Sequence, residues 1–381
     1  METYVAIAPG GLEEVLEQEL IDLGAQNVKI LHRAVEFEGD EKLLYKANMG
    51  LRTAIRILIP IAKERVRNQN ELYSVVKSIN WVRWFEPTKT LAMFSTVSNA
   101  PEFNNDFFVS LKTKDAIVDQ FRELKGVRPT IDKDNPDVRI YIHLAGEDCS
   151  IYIDSSGESL HKRGYRKAGH LAPLSEVLAA GLILLSGWDK KEPFLDPMCG
   201  SGTIVIEAAM MAAGMSPNLK RENFGMFNLK TFNQKIWDRA WLELKVLQKK
   251  DIDTVIMGSD KSPSAIAAAR INIEAAGVDE FVRVSKKAFE DRNPPKEKGI
   301  IVCNPPYGER LNPQTVYSLY KSMGSQLKYH YSGFNAWFLS SNIRALKQLG
   351  LRPSEKHIIF NGPLECQYAK YEMYRGSREE K

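Results

Sequence analysis

The chain has no unbroken run of roughly 18 apolar residues, so no segment is expected to span a bilayer as a helix. Its opening, METYVAIAPGGLEEVLEQEL, lacks the basic start and continuous apolar stretch of a secretory signal. Cysteine is scarce: four residues, at 149, 199, 303 and 366, with no CxxC pair. That spacing argues against a disulfide framework and a zinc site, and it fits a reducing cytoplasm. The six histidines show no ligand spacing either, so no metal is expected. Low-complexity tracts are missing from a composition that is 44% hydrophobic and 26% charged, the balance of a globular chain. A large excess of one charge is also lacking, the net being +4. Residues 1–165 hold 21 Lys/Arg against 25 Asp/Glu, and residues 166–381 hold 31 against 23. A nucleic acid would find its complement on the C-terminal part or in local patches, but an ordinary solvated surface gives the same numbers.

With 381 residues, the chain exceeds what one core ordinarily fills, and two or three domains are expected. Residues 4–8 read as a strand, followed by helical spacing at Leu12, Val15, Leu16, Leu20 and Leu23 that Gly24 stops. Strands at 28–31, 34–37 and 54–61 and a helix at 42–49 complete a small α+β sandwich. A second unit begins near Arg65: a helix through Leu72, Val75, Val76 and Ile79, a strand at 91–97, a helix at 107–124, and a hairpin of 138–144 with 149–153. The segment HKRGYRK (161–167) is a basic connector without periodicity and marks the main boundary. Beyond it strands and helices alternate. Helices are expected at 173–185 (opened by Pro173), 203–213 and 263–276, with strands at 193–195, 254–259, 282–285, 300–303, 336–340 and 356–360. Such alternation means a mostly parallel, doubly wound sheet.

Three motifs carry chemistry. LDPMCGSGT (195–203) sits at a strand-to-helix turn, where doubly wound sheets bind ligands. Gly200 and Gly202 allow close backbone approach, yet the spacing matches neither GxGxxG nor a P-loop. Asp196 at the strand end suits a cationic or hydroxyl-rich ligand, and the amino group of S-adenosylmethionine meets that description. Asp260, in Ser259-Asp260, can accept both hydroxyls of a ribose; the alternative is an ordinary N-cap before Ser262-Pro263. It lies 64 residues past Asp196, where a plain β-α-β unit needs roughly 20. The surplus reads as an insertion at 214–250, with Trp237 and Trp241 along a helix.

The third motif, CNPPYG (303–308), closes a strand. An exocyclic base amine is a weak nucleophile because its lone pair is drawn into the ring. Two acceptors binding its two hydrogens, the Asn304 side-chain oxygen and the Pro305 carbonyl, hold the nitrogen toward tetrahedral geometry. Pro305 and Pro306 stiffen the loop, and Tyr307 offers a face for a base turned out of its stack. Transfer is then an in-line displacement that needs positioning and no metal. Cys303 and Cys199 have no histidine nearby in sequence, and Cys303 should point into the sheet as a small hydrophobe. In the connector, Lys162, Arg163, Arg166 and Lys167 are candidate RNA phosphate contacts, as are Arg65 and Arg67; a plain solvated linker is the alternative.

In this order, LDPMCGSGT, SD and NPPYGERL resemble the class I methyltransferases, specifically the THUMP-bearing RNA guanine-N2 methyltransferases. APGGLE (8–13) is similar to the start of their ferredoxin-like domain, and HKRGY to their link into the catalytic domain. The resemblance implies an α/β architecture in which a C-terminal Rossmann-like class I methyltransferase domain (165–381) follows α+β ferredoxin-like (1–65) and THUMP (66–155) domains. It implies S-adenosylmethionine as cofactor, held by Asp196, Cys199, Gly200, Gly202, Thr203, Asp260, Phe289 and Asn304. It further implies catalysis by Asn304, Pro305, Pro306 and Tyr307, and RNA as partner, ribosomal first and transfer RNA second. Where the family often carries an acidic residue toward the adenine, this chain has KKAFED (286–291), which leaves Lys287, Glu290, Asp291 or the Phe289 backbone. Adenine-N6 methylation of DNA and amide methylation of a protein could use the same loop, but residues 1–165 do not look like a DNA-reading helix module. A non-catalytic RNA-binding assembly factor is the reading from a different class.

Overall fold

The computed structural model describes residues 1–103, 105–169, 174–307 and 312–374. The helix start expected at Pro173, and Gly308, Glu309, Arg310 and Leu311 of NPPYGERL, lie outside the described residues.

Seven strands form the first sheet: β1 (Glu2–Ile7), β2 (Gln26–Leu31), β3 (Ala34–Gly39), β4 (Arg56–Arg65), β5 (Leu91–Ser98), β6 (Val138–Ala145) and β7 (Asp148–Asp154). Their order is β2-β3-β1-β4-β7-β6-β5, parallel only between β5 and β6. Strand β4 is the joint. Its first residues pair with β1, and it continues to Arg65 along β7. The division after residue 65 therefore falls at the end of a strand that both units share, and one core serves both. Val35 and Phe37 pack in the same cluster as Phe121, Ile140 and Ile151. Helices α1 (Glu13–Leu23), α2 (Glu41–Gly50), α3 (Gln69–Ser78) and α4 (Asp106–Lys125) supply that cluster with Leu16, Leu44, Leu72 and Ile117. Side chains of Asp40, Asn68 and Asn105 cap the last three by accepting first-turn amides.

The second sheet contains β8 (Phe194–Asp196), β9 (Ile256–Asp260), β10 (Val282–Lys286), β11 (Gly299–Cys303), β12 (Phe334–Ser340), β13 (Glu355–Asn361) and β14 (Leu364–Glu372). Its order is β10-β9-β8-β11-β12-β14-β13; β10 through β12 run parallel, and β14 is antiparallel to both neighbours. On one face lie α5 (Glu176–Leu185), α6 (Thr203–Ala212) and α8 (Pro263–Ala276); on the other lie α9 (Pro313–His330) and α10 (Ile343–Gln348), with their own cluster. Helix α5 starts at Glu176 under a Ser175 cap. No helix or strand is expected from sequence between 304 and 335, yet α9 buries Val316, Tyr320, Met323 and Leu327 at helical spacing. Its seam is diluted by tyrosines and lysines, which hides a stripe only one residue wide. Strand β14 went unassigned as well, although Cys366 and Tyr368 alternate inward.

The insertion between α6 and β9 leaves its own domain. Phe224, Met226, Leu229, Trp237, Ala240 and Leu244 belong to the N-terminal core, the last three from α7 (Gln234–Lys245). The Trp237 ring lies 5.7 Å from Tyr45 on α2 and 4.8 Å from Phe227. Met49 in α2 accepts from the Asn218 amide at 3.0 Å. The C-terminal part thus completes the hydrophobic core of the part before it. No helix among the described residues is long and apolar enough to cross a membrane.

Candidate active site

Parallel register brings the motifs to one sheet edge. Asp196 ends β8 opposite Gly258, Asp260 ends β9, and Cys303 ends β11, which pairs with the other side of β8. Asp196 is buried, and its Oδ1 accepts from the Met198 amide at 3.2 Å. Burial pushes its carboxyl up to about 7; the Asp260 carboxylate adds to that, while the Met198 N–H and the Cys303 thiol oppose it. Asp260 is tied into the loop: its Oδ2 accepts from Gly200 N at 3.1 Å and its Oδ1 from Ser262 N at 2.8 Å. Ser262, not Asp260, caps α8. Of about four acceptor positions on that carboxylate, two remain for a ligand's hydroxyls.

The glycines differ in role. Gly200 (φ +52°) faces open space, since a Cβ there would meet nothing within 4 Å, whereas a Cβ on Gly202 (φ +87°) would press to 3.3 Å from Ala269. Gly200 makes the cradle; Gly202 lets α6 sit against α8. Cys199 closes the loop by donating its amide to Ser259 O at 2.9 Å, and its buried thiol is held well above the usual range. Thr203 is buried at the start of α6. Cys303 is buried in the α9 cluster with its thiol likewise raised by burial, so neither cysteine is a ready thiolate.

Asn304 is half-buried, and its Oδ1 is shielded from solvent with no hydrogen-bond partner among the described residues. A buried acceptor without a donor costs about 1–3 kcal/mol, so this oxygen is placed to accept from a donor that enters the site. Pro305 is buried and Pro306 exposed. Tyr307 is half-buried; its hydroxyl accepts from Asn361 Nδ2 at 2.9 Å, and burial raises the phenol to about 12. The ring is therefore a fixed neutral face. Asn361, on β13, was not identified from sequence, and nothing in a lone asparagine far down the chain signals it.

After β10, Lys287 is exposed and donates its amide to Asp260 O at 3.0 Å, while Glu290 and Asp291 are exposed. Phe289 is buried against Tyr331, ring centroids 5.7 Å apart, so its side chain serves the core. Arg292 is a second residue that sequence reading missed. It is buried beside Asp196 and Cys199, burial holds its guanidinium below the usual range, and its Nε has no partner among the described residues.

The connector departs from expectation. Arg163 cannot meet phosphate: its side chain is wholly buried, and its Nε donates to Glu207 on α6 at 2.8 Å. Its Nη2 donates to Arg52 O at 2.7 Å, and Tyr165 OH donates to the same Glu207 oxygen at 2.9 Å. Arg166 is committed inward too, to Glu176 at 3.0 Å, Leu174 O at 2.9 Å and Thr203 Oγ1 at 3.3 Å. Asn272 Oδ1 accepts from the amides of Lys167 and Ala168, while its Nδ2 donates to Ala168 O and Ser201 O. The segment is a latch onto the Gly200–Thr203 loop and α8, because buried carboxylates and amides claim its cations and backbone. Lys162, which pairs with Glu158, and Lys167 are exposed, and Arg166 keeps 22% of its side chain in solvent. Arg65 and Arg67 lie exposed against Glu147.

The parallel sheet with its reversed final hairpin, the glycine cradle between two strand-end carboxylates and the Asn-Pro-Pro-Tyr loop define a class I methyltransferase domain on a ferredoxin-like and THUMP platform. Residues 163–370 match the RMKL-like methyltransferase domain, residues 3–58 the RlmL ferredoxin-like domain, and residues 66–154 the THUMP domain. The chain belongs to the RMKL-like methyltransferase family. It is 36% identical to the Synechocystis sp. protein slr0064, named provisionally as an RNA methyltransferase, over 97% of each chain. It is 37% identical to the ribosomal RNA large subunit methyltransferase K/L of Photobacterium profundum, covering 99% of this chain and 54% of that one. The chain thus spans about half the length of that relative. The crystal structure of the methyltransferase-like protein SMU.472, complexed with SAH, superposes with a TM-score of 0.89 at 28% identity and 99% coverage of both chains.

Proposed function

We propose that the protein transfers a methyl group from S-adenosylmethionine to the exocyclic N2 amine of a guanine in RNA, with 23S ribosomal RNA as the substrate. The observation that carries this reading is the buried Asn304 Oδ1, unpartnered among the described residues, at the same sheet edge as Asp196 and Asp260. SMU.472 with SAH supports the cofactor, and the K/L relationship supports the ribosomal substrate. Guanine N2 rests on the resemblance that the three motifs and residues 1–165 carry. When bound, S-adenosylmethionine supplies an electrophilic methyl on a sulfonium; this chain's residues do the rest. Asp260 accepts the ribose hydroxyls, the Gly200 backbone lies against the ligand, and Asp196 faces its ammonium. Asn304 Oδ1 and the Pro305 carbonyl hold the two amine hydrogens, and the anchored Tyr307 ring stacks the extruded base. Lys162 and Lys167 contact phosphate.

Two results test the cofactor half by isothermal titration. Asp260→Asn weakens S-adenosylmethionine binding about 10- to 100-fold, the worth of a charge-assisted hydrogen bond; unchanged affinity refutes the ribose role. Affinity also rises with pH through about 7, where Asp196 loses its proton, because the carboxylate attracts the ammonium and the carboxylic acid does not. It falls again as the ammonium itself deprotonates, near 7.7–8.0 for an α-amino group. Asp196→Asn flattens the lower limb, and a flat wild-type profile removes Asp196 from the contact.

The reaction is tested by incubating RNA from a strain lacking this gene with the protein and methyl-labelled S-adenosylmethionine. Label in N2-methylguanosine of 23S RNA is the expected result. Label in transfer RNA keeps the chemistry and overturns the carrier. No label with cofactor bound leaves the binding-protein reading in its place.

A further inference from the structure

The four helices of the N-terminal part all feed the core on one face of the first sheet. The opposite face carries a small cluster of its own, Val5, Ala34 and Leu58 with Tyr141 and Tyr152 at its border, and no helical residue belongs to it. Across this open face cross-strand register lines up one row. Pro60 pairs with Tyr152, Tyr152 with Tyr141, and Tyr141 with Phe94. The Phe94 and Tyr141 rings are stacked, centroids 5.0 Å apart at 19°, and Phe94 is 36% exposed. A stacked pair that served only the sheet would be covered; this one turns a ring to water.

Polar and basic side chains edge the row on both sides. On one flank lies the next cross-strand row, Lys63, Ser150, His143 and Thr96, with Lys63 and His143 exposed. On the other, the Arg56 guanidinium sits 4.9 Å over the Tyr141 ring, where the buried Asp154 carboxylate claims its charge, and Arg139 lies two residues before Tyr141 on β6. Arg139 also lines a cleft of about 810 Å³, of mixed charge, that continues past Asp137, Glu158, Lys167 and Lys220 to the ends of α6 and α8. Rings in the middle and cations at the rim match an unpaired strand, whose bases present π-faces and whose phosphates lie outside them. A duplex hides its base faces and has no use for the rings.

We propose that the open face of the first sheet, centred on Phe94, Tyr141 and Tyr152, is a stacking platform for unpaired nucleotides of the RNA substrate, with Lys63, Arg139 and His143 on its phosphates. The platform rests on the RNA reading above and adds to it which surface holds the strand and that the strand is single.

The test is fluorescence anisotropy of the full chain with a fluorescein-labelled single-stranded RNA and with a hairpin duplex of the same composition. Phe94→Ala, at an exposed site, weakens single-strand binding by about 5- to 100-fold and leaves duplex and S-adenosylmethionine binding as in wild type. Phe94→Trp retains single-strand binding, because it keeps the ring, and so separates stacking from damage to the sheet. Wild-type protein without affinity for either RNA overturns the platform and the RNA reading together. Wild-type affinity that Phe94→Ala leaves intact, or reduces equally for strand and duplex, overturns the platform alone; a protein-binding face would give that result.

Discussion

Asn304→Ala lowers the rate of methyl transfer by about 10²- to 10³-fold, the usual cost of deleting one pre-organised polar group aimed at the reacting centre, and leaves S-adenosylmethionine affinity close to wild type. The wild-type site holds an acceptor that is shielded from water and unpartnered among the described residues. That is unfavourable in the free protein and becomes favourable only when a donor arrives. The substrate amine brings two hydrogens, one for Oδ1 and one for the Pro305 carbonyl. Deleting the side chain removes half of that grip, so the nitrogen relaxes toward its planar, unreactive form. Asn304→Asp keeps an acceptor but brings a buried charge, and it recovers less than its shape suggests. Single-turnover kinetics with saturating cofactor makes the measurement; full activity of Asn304→Ala sinks the mechanism.

Arg163→Ala destabilises the fold by about 3–5 kcal/mol without altering the salt dependence of RNA binding. The partner left behind is Glu207, whose side chain is fully buried, and the change leaves that charge uncompensated. It also frees Arg52 O and Leu160 O of their donors. Urea unfolding shows the loss as a lower midpoint, and Arg163→Met combined with Glu207→Leu restores much of it, because a packed apolar pair replaces a buried ionic one at little cost. By contrast, Lys162→Ala with Lys167→Ala keeps the midpoint and flattens the slope of log affinity against log salt by about 0.7–0.9 per lost phosphate contact. A wild-type midpoint in Arg163→Ala would mean that the ion pair does not latch the connector.

The contrast between those two residue sets shows what could be read from the chain. LDPMCGSGT, SD and NPPY were legible because strand ends that approach a ligand need particular residue types within a few positions, and the structure brings Asp196, Gly200, Asp260 and Asn304 to one edge. HKRGYRK was misjudged at Arg163 because four cations in seven residues read as a surface, while the carboxylate that claims one of them lies on α6. A signal existed: Glu207 is a lone acid in TIVIEAAMMA, a buried helix, and a buried acid calls for a cation. Asn272, Asn361 and Arg292 gave no such signal, since each acts only through contacts far apart in sequence. The insertion was visible from the distance between Asp196 and Asp260, and its Trp237 from composition. That it fills another domain's core was not, because an apolar residue does not say which core it enters.

That exchange of core residues fixes a length. With Phe224, Trp237 and Leu244 seated among N-terminal residues and the connector latched at Glu207 and Asn272, the proposed strand platform and the Asn304 loop belong to parts joined through one packed core. On the proposed reading such a joint works as a ruler: an added or deleted nucleotide between grip and target is expected to move the methyl group to a neighbouring base or prevent the reaction.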